Sequence, residues 1–164
     1  FILLTSRLNL LLDTIISRCQ TIRFNPYSSQ KMKELLVQSK HKIVEISKDS
    51  EVLENLIFIS NGSPGQLLDN LDIWYQIPED IRYEVKSPLM NYKNILILAK
   101  KITSHLDLNK QELLLNYMQR NCWLKTKDKK KVEILEMIKK NINSNIQPRL
   151  SWEVGLLKIR LHDL

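Results

Sequence analysis

Short apolar runs and helical periodicity alternate along the chain. Phe1-Ile2-Leu3-Leu4-Thr5 is a continuous apolar run of strand length, and Thr21-Ile22-Arg23-Phe24 alternates polar and apolar residues. Both patterns predict short strands. Between them Leu8, Leu11, Leu12, Ile15 and Ile16 return at helical spacing. A strand–helix–strand unit of this size does not make a stable sheet by itself. Residues 1–24 therefore read as the edge of a larger unit, and a chain that opens on Phe1 reads as a piece of a longer protein. Phe1 to Leu4 is also too short for the apolar core of a secretory leader.

After the break at Asn25-Pro26 the period is helical. Ser28 or Ser29 is positioned to cap a helix carrying Met32, Leu35, Leu36 and Val37. Asp49-Ser50 begins a second helix with Val52, Leu53, Leu56, Ile57 and Ile59, and Asn61-Gly62 ends it. Ser63-Pro64 opens a third, with Pro in the first turn and an apolar face of Leu67, Leu68, Leu71 and Trp74. Pro78 and Pro88 mark a joint. Beyond it four helices are predicted, over about 89–106, 109–123 and 128–142 and from Pro148 onward. In the last of these Leu150, Val154, Leu157, Leu161 and Leu164 follow in steps of four and three, a stripe suited to helix-on-helix packing. Trp152, Leu156 and Ile159 form a second apolar face on the same helix. The fold class is mainly α: a strand–helix–strand remnant over 1–24, a small helical domain over 25–76, and a helical bundle over 77–164.

Composition narrows the chemistry. With 164 residues, 43% of them hydrophobic, the chain can bury a core but cannot hold a large multi-domain enzyme. Three Gly, and neither G-x-x-x-x-G-K-[ST] nor G-x-G-x-x-G, exclude the common phosphate loops within this stretch. Two Cys, Cys19 and Cys122, make neither a disulfide framework nor a zinc site, which fits a reducing, cytoplasmic setting. No apolar run reaches the roughly 18 residues of a membrane span. Charge is uneven: residues 1–75 hold eight basic and eight acidic side chains, residues 76–164 hold 17 and 10. The densest basic stretch is Lys125, Lys127, Lys129, Lys130 and Lys131. It reads first as a solvated loop and helix start, and second as a surface for phosphate or an acidic partner.

Ser17-Arg18-Cys19-Gln20 carries the most information. The neighbours three and four positions from Arg18 are Thr14, Ile15, Thr21 and Ile22, so no acidic helix neighbour satisfies its guanidinium. Arg keeps its charge and offers a rigid fork to phosphate oxygens. Leu11-Leu12-Asp13-Thr14-Ile15-Ile16-Ser17-Arg18-Cys19-Gln20 resembles the SRC motif of the AAA+ clamp-loader ATPases, L-L-P-T-I-x-S-R-C-Q. The preceding apolar run stands where that family has its sensor-1 strand, with Thr5 or Ser6 at the polar position. Asn61-Gly62-Ser63-Pro64-Gly65-Gln66-Leu67-Leu68 resembles the G-S-P-G-R-A-L segment of the family's lid domain, and Asn145-Ile146-Gln147-Pro148-Arg149-Leu150 is similar to the start of its last collar helix. Within the family the Gly62-Ser63-Pro64-Gly65 form is most similar to the bacterial DNA polymerase III delta prime subunits.

The resemblance implies a division into the end of an AAA+ core (1–24), a lid (25–76) and a collar (77–164). It implies a subunit that is not catalytic by itself but belongs to the DNA polymerase III holoenzyme and helps load the sliding clamp onto primer-template DNA. Its partners would be the gamma/tau and delta subunits, met through the collar and the SRC face. Arg18 would be an arginine finger in trans, stabilising charge on the phosphoryl group of ATP-Mg held by the neighbour; this chain would hold no nucleotide or metal. Ser17 and Cys19 would support the Arg18 turn, Cys19 by packing under it. Ser63, Pro64, Gly65 and Gln66 form the lid motif. Two departures stand out: Asp13 replaces the usual Pro, and Gln66 replaces an Arg, which removes a sensor-2 type contact. Trp152, off the main stripe, is expected to meet another subunit. The alternatives are an active gamma/tau-like ATPase and a basic helical nucleic-acid-binding module; neither catalytic Cys nor catalytic His chemistry is suggested by Cys19 or by the three His residues.

Overall fold

The computed structural model describes residues 1–5, 7–38, 49–86, 91–144 and 146–162. Among these residues the architecture is helical, with no strand. A 3-10 turn, Leu8–Leu10, and a short α1, Asp13–Ile16, precede α2 (Ser29–Gln38), α3 (Ser50–Ile59), α4 (Pro64–Gln76), α5 (Glu79–Lys86), α6 (Tyr92–His105), α7 (Leu108–Thr126), α8 (Lys129–Asn143) and α9 (Pro148–His162). The two predicted strands, Phe1 to Thr5 and Thr21 to Phe24, have no regular structure. A strand exists only with a partner to receive its backbone hydrogen bonds, and the described residues offer none. Ser6, Pro88, Asn145 and Leu164 lie outside the described residues.

The helices begin where short polar side chains can accept the free amides of a first turn. Asp49 accepts from Val52, Ser63 from Gln66, Asn91 from Lys93 and Asp107 from Lys110. Asp128 accepts from both Lys130 and Lys131. Helix α3 ends through Asn61 (φ 49°) and Gly62 (φ 75°), and α7 ends at Lys127 in the left-handed conformation (φ 54°). Helix α5 was not anticipated. It runs between the two prolines of the joint, with Glu79 and Asp80 in its first turn, Lys86 in its last, and only Ile81 and Val85 buried.

Helix α7 is the central element. It packs against α3, α4, α5 and α8, while α9 lies against α6 and α8. Its burial extends around much of its circumference (Gln111, Leu113, Leu114, Leu115, Tyr117, Met118 and Asn121), as a helix surrounded by others requires. One continuous core therefore spans residues 32–159. Trp74 of α4 and Tyr117 of α7 meet with ring centroids 4.4 Å apart and planes tilted by 44°. No residue before Met32 is buried among those described.

The last helix is rotated differently from the sequence expectation. Its inner face is Ser151, Trp152, Gly155, Leu156 and Ile159. Trp152 is fully buried, and its indole N–H donates to Gln111 Oε1 at 2.8 Å. Gln111 Nε2 donates in turn to the carbonyl of Leu106 at 2.9 Å. The expectation that Trp152 meets another subunit is thus overturned: its own fold consumes both its area and its donor. Gly155 permits this seating, because a Cβ there would lie 2.3 Å from Ile138 Cδ1. The heptad-like stripe faces outward, with Leu150 51%, Val154 38% and Leu161 59% exposed and only Leu157 partly packed on the core.

Tyr117 gives the core a measurable signature. Burial, assisted by the negative charge of Glu51, pushes its phenol up to about 12, with the Asn55 side chain acting the other way. Neither the Tyr117 hydroxyl nor Asn55 Nδ2 has a partner in hydrogen-bonding geometry. The folded state therefore holds this proton more tightly than the unfolded chain, whose tyrosines ionise near 10. Stability from this site is complete below about pH 10 and is lost as pH rises from there toward 12. Absorbance titration should show Tyr117 ionising late, together with loss of helicity. Tyr117→Phe should abolish the late step and change stability at neutral pH by less than about 1 kcal/mol, since no hydrogen bond is broken.

Candidate functional site

Arg18 sits in the turn that follows α1. Its backbone N–H donates to Ile15 O at 3.1 Å, and Ser17 Oγ donates to Thr14 O at 3.3 Å, so the turn closes on itself and projects its side chains. Ser17, Arg18, Cys19 and Gln20 are all exposed. Cys19 is a free thiol. No hydrogen bond, ion pair or ring contact engages the Arg18 guanidinium among the described residues. Asp13 stands in the first turn of α1 and Leu12 precedes it in extended conformation, so the helix forms without the proline the motif usually carries.

The lid-like motif has a structural explanation. Ser63 Oγ accepts from Gln66 N at 3.4 Å, capping α4, and Pro64 occupies the first turn, where no amide is needed. Gly62 O accepts from Tyr27 N at 2.9 Å, which ties the segment after the Arg18 turn to the start of α4. Gly62 also makes room for that segment: a Cβ would stand 2.5 Å from Pro26 Cβ and 2.7 Å from Tyr27 O. Gly65, by contrast, has nothing within 4 Å of its missing Cβ. Gln66 is exposed. Arg18 and the lid motif are thus joined through the backbone at Tyr27, not through side chains.

The basic stretch is paired in part. Lys125 pairs with Glu51 at 3.0 Å and Lys129 with Glu133 at 3.4 Å, while the Lys127 ammonium lies 5.4 Å from the Trp123 ring centre. His162 Nε2 lies 3.1 Å from Asp128 Oδ2, closing α9 onto the start of α8. Among the described residues no group of three or more His, Cys, Asp and Glu could hold a metal ion. No helix among them is long and apolar enough to cross a membrane.

Sequence reasoning missed which face of α9 is free, although Gly155 was the signal: a small residue beside Trp152 marks close helix approach. It also missed Arg120, whose guanidinium carbon lies 3.7 Å from the Phe58 ring centre. No local pattern relates two residues so far apart in sequence.

Among the described residues the fold is an α-helical module with a closed core, an exposed apolar stripe on its last helix, and an exposed arginine on a preceding turn. The chain belongs to the family described as cyanobacterial DNA polymerase III delta prime, C-terminal domain, whose model matches residues 30–159. The matched span crosses from the predicted lid into the predicted collar and begins after Arg18. No curated protein and no solved structure matches the chain. Family membership ties the helical unit to a clamp-loader subunit of the delta prime type.

The two glycines of the lid motif should respond with opposite signs. Gly62→Ala introduces a strained φ and a clash with Tyr27, and should lower stability by about 1–3 kcal/mol. Gly65→Ala, in an open helical first turn, should raise it by about 0.4–1 kcal/mol. Chemical denaturation followed by circular dichroism distinguishes the two.

Proposed function

We propose that this chain is the lid and collar portion of a delta prime-type subunit of the replicative clamp loader, and that Arg18 is offered to the ATP-Mg site of the neighbouring subunit. The observation that carries the reading is the state of Arg18: exposed, without an acceptor, on a turn closed by its own backbone hydrogen bonds. A guanidinium held in this way is ready to bond oxygens supplied by another chain. As a phosphoryl group is transferred, charge builds on its oxygens, and a fixed cation stabilises that charge. The finger acts only when neighbouring subunits are docked, so hydrolysis reports ring geometry. Ser17 closes the turn that carries it.

In this reading residues 25–76 are the lid and 77–164 the collar. The outward stripe of Leu150, Val154 and Leu161 docks on the gamma/tau or delta neighbours. A helix with a complete inner face and a second apolar stripe is suited to a second partner. The exposed apolar residues of the first 24 positions, Phe1, Ile2, Leu3, Leu4, Leu10, Leu12, Ile22 and Phe24, belong against the rest of an AAA+ core. The assembled complex acts on the sliding clamp and primer-template DNA; this subunit contributes geometry and charge without a nucleotide of its own.

In a complex reconstituted with the full-length subunit, Arg18→Ala should leave assembly intact and lower DNA- and clamp-stimulated ATP hydrolysis by about ten-fold or more, below the 10³–10⁵ of a sole finger because several sites contribute. Unchanged hydrolysis removes the assigned role. Paired Leu150→Asp and Leu161→Asp substitutions should leave the melting curve of the chain nearly unchanged, since both side chains are exposed. They should abolish co-migration with the neighbouring subunits in size-exclusion chromatography; full co-migration would remove α9 from the interface.

A further inference from the structure

A cleft of about 470 Å³ opens where the end of α3 meets α7 and α8. Asn116, Gln119, Arg120 and Trp123 line one face of α7, Phe58 comes from α3, and Lys139 comes from α8. It is remote in sequence from the Arg18 turn and lies on none of the α9 stripe residues.

The hydrogen bonds inside the cleft leave specific groups free. Arg120 is stacked over Phe58 at 3.7 Å, and its Nε is buried without an acceptor. No carboxylate pairs with Arg120 among the described residues. Lys139 Nζ is held by Glu112 at 3.1 Å and by Asn116 Oδ1 at 3.0 Å. Gln119 Nε2 donates to Glu136 at 2.9 Å. With those atoms committed, the Asn116 amide NH2 remains as a donor and the Gln119 carbonyl oxygen as an acceptor. Trp123 is 42% exposed beside them. A stacked guanidinium, a free amide donor, a free amide acceptor and an exposed indole match a carboxylate carried on peptide backbone next to an apolar side chain.

The charge balance selects among occupants. Lys139 is offset by Glu112, whereas among the described residues neither Arg120 nor Lys127, whose ammonium lies 5.4 Å from the Trp123 ring centre, has a carboxylate partner, so the charge left at the cleft is positive and favours an acidic occupant. We propose that the cleft is a docking site for a short acidic segment of a partner protein, with one carboxylate on Arg120 and a neighbouring apolar or aromatic side chain on Trp123. The volume lies within the range of about 300–1,000 Å³ typical of ligand sites and suits a few side chains.

The test uses the full chain and a fluorescein-labelled hexapeptide in which two aspartates flank a phenylalanine. Fluorescence polarisation should show saturable binding, and tryptophan emission should shift to the blue, because Trp74 and Trp152 are already buried and only Trp123 can change environment. Arg120→Gln, and separately replacement of the peptide's aspartates by asparagines, should each weaken binding about ten-fold or more. If Arg120→Gln alters the circular dichroism spectrum, Trp123→Ala carries the same expectation at an exposed position. The proposal is overturned by absence of saturable binding below about 1 mM peptide, by equal binding of the asparagine peptide, or by unchanged binding in the variants. Tighter binding of a six-residue oligothymidylate that displaces the peptide would instead assign the cleft to single-stranded nucleic acid.

Discussion

Trp152 reaches across the core to donate to Gln111, and Gln111 passes the connection on to the carbonyl that closes α6. These groups are buried, so the hydrogen bonds are obligatory: removing one partner leaves a desolvated donor or acceptor behind. The pair fixes α6, α7 and α9 relative to one another, and it fixes the rotation of α9 about its own axis. Gly155 permits the same rotation by letting Ile138 approach the backbone. Any turn of α9 that buried Leu150 and Leu161 would expose the largest side chain of the helix and orphan its N–H.

The surface follows from that rotation. Because Trp152, Leu156 and Ile159 point inward, Leu150, Val154 and Leu161 have only solvent or another molecule to meet. An apolar stripe at helical spacing on an otherwise basic bundle marks an interaction face more strongly than scattered apolar residues do. The Arg18 turn follows a similar logic at the other end of the chain. Among the described residues none of the first 24 is buried in this core, and the Gly62–Tyr27 hydrogen bond ties the following segment to the start of α4. Two exposed surfaces result, an apolar one on α9 and a cationic one on the turn that precedes the helical body.

Much of this was legible in the sequence. Apolar periodicity located seven helices of the body, and at two of them Asp49 and Ser63 perform the capping chemistry their side chains favour. Helix α5 was hidden because eight residues with two buried apolar positions between prolines look like a linker; the acidic first turn and basic last turn were the available signal. The N-terminal strands depend on partners the described residues do not supply. The orientation of α9 was misread because leucine spacing identifies an apolar stripe without saying which stripe meets its own core. Side-chain volume and the adjacent glycine decided that. The Arg18 turn was legible from its motif alone, whereas the cleft around Arg120 was not, since its residues converge only through tertiary packing.

Hydroxyl-radical footprinting of the chain alone and in the assembled complex tests the orientation of α9 most directly. Free in solution, Leu150, Val154 and Leu161 should be oxidised readily while Trp152 is protected and Trp123 reacts as an internal reference. In the complex the same three side chains should become protected. Rapid oxidation of Trp152 in the free chain, or an unprotected leucine stripe in the complex, would contradict the account.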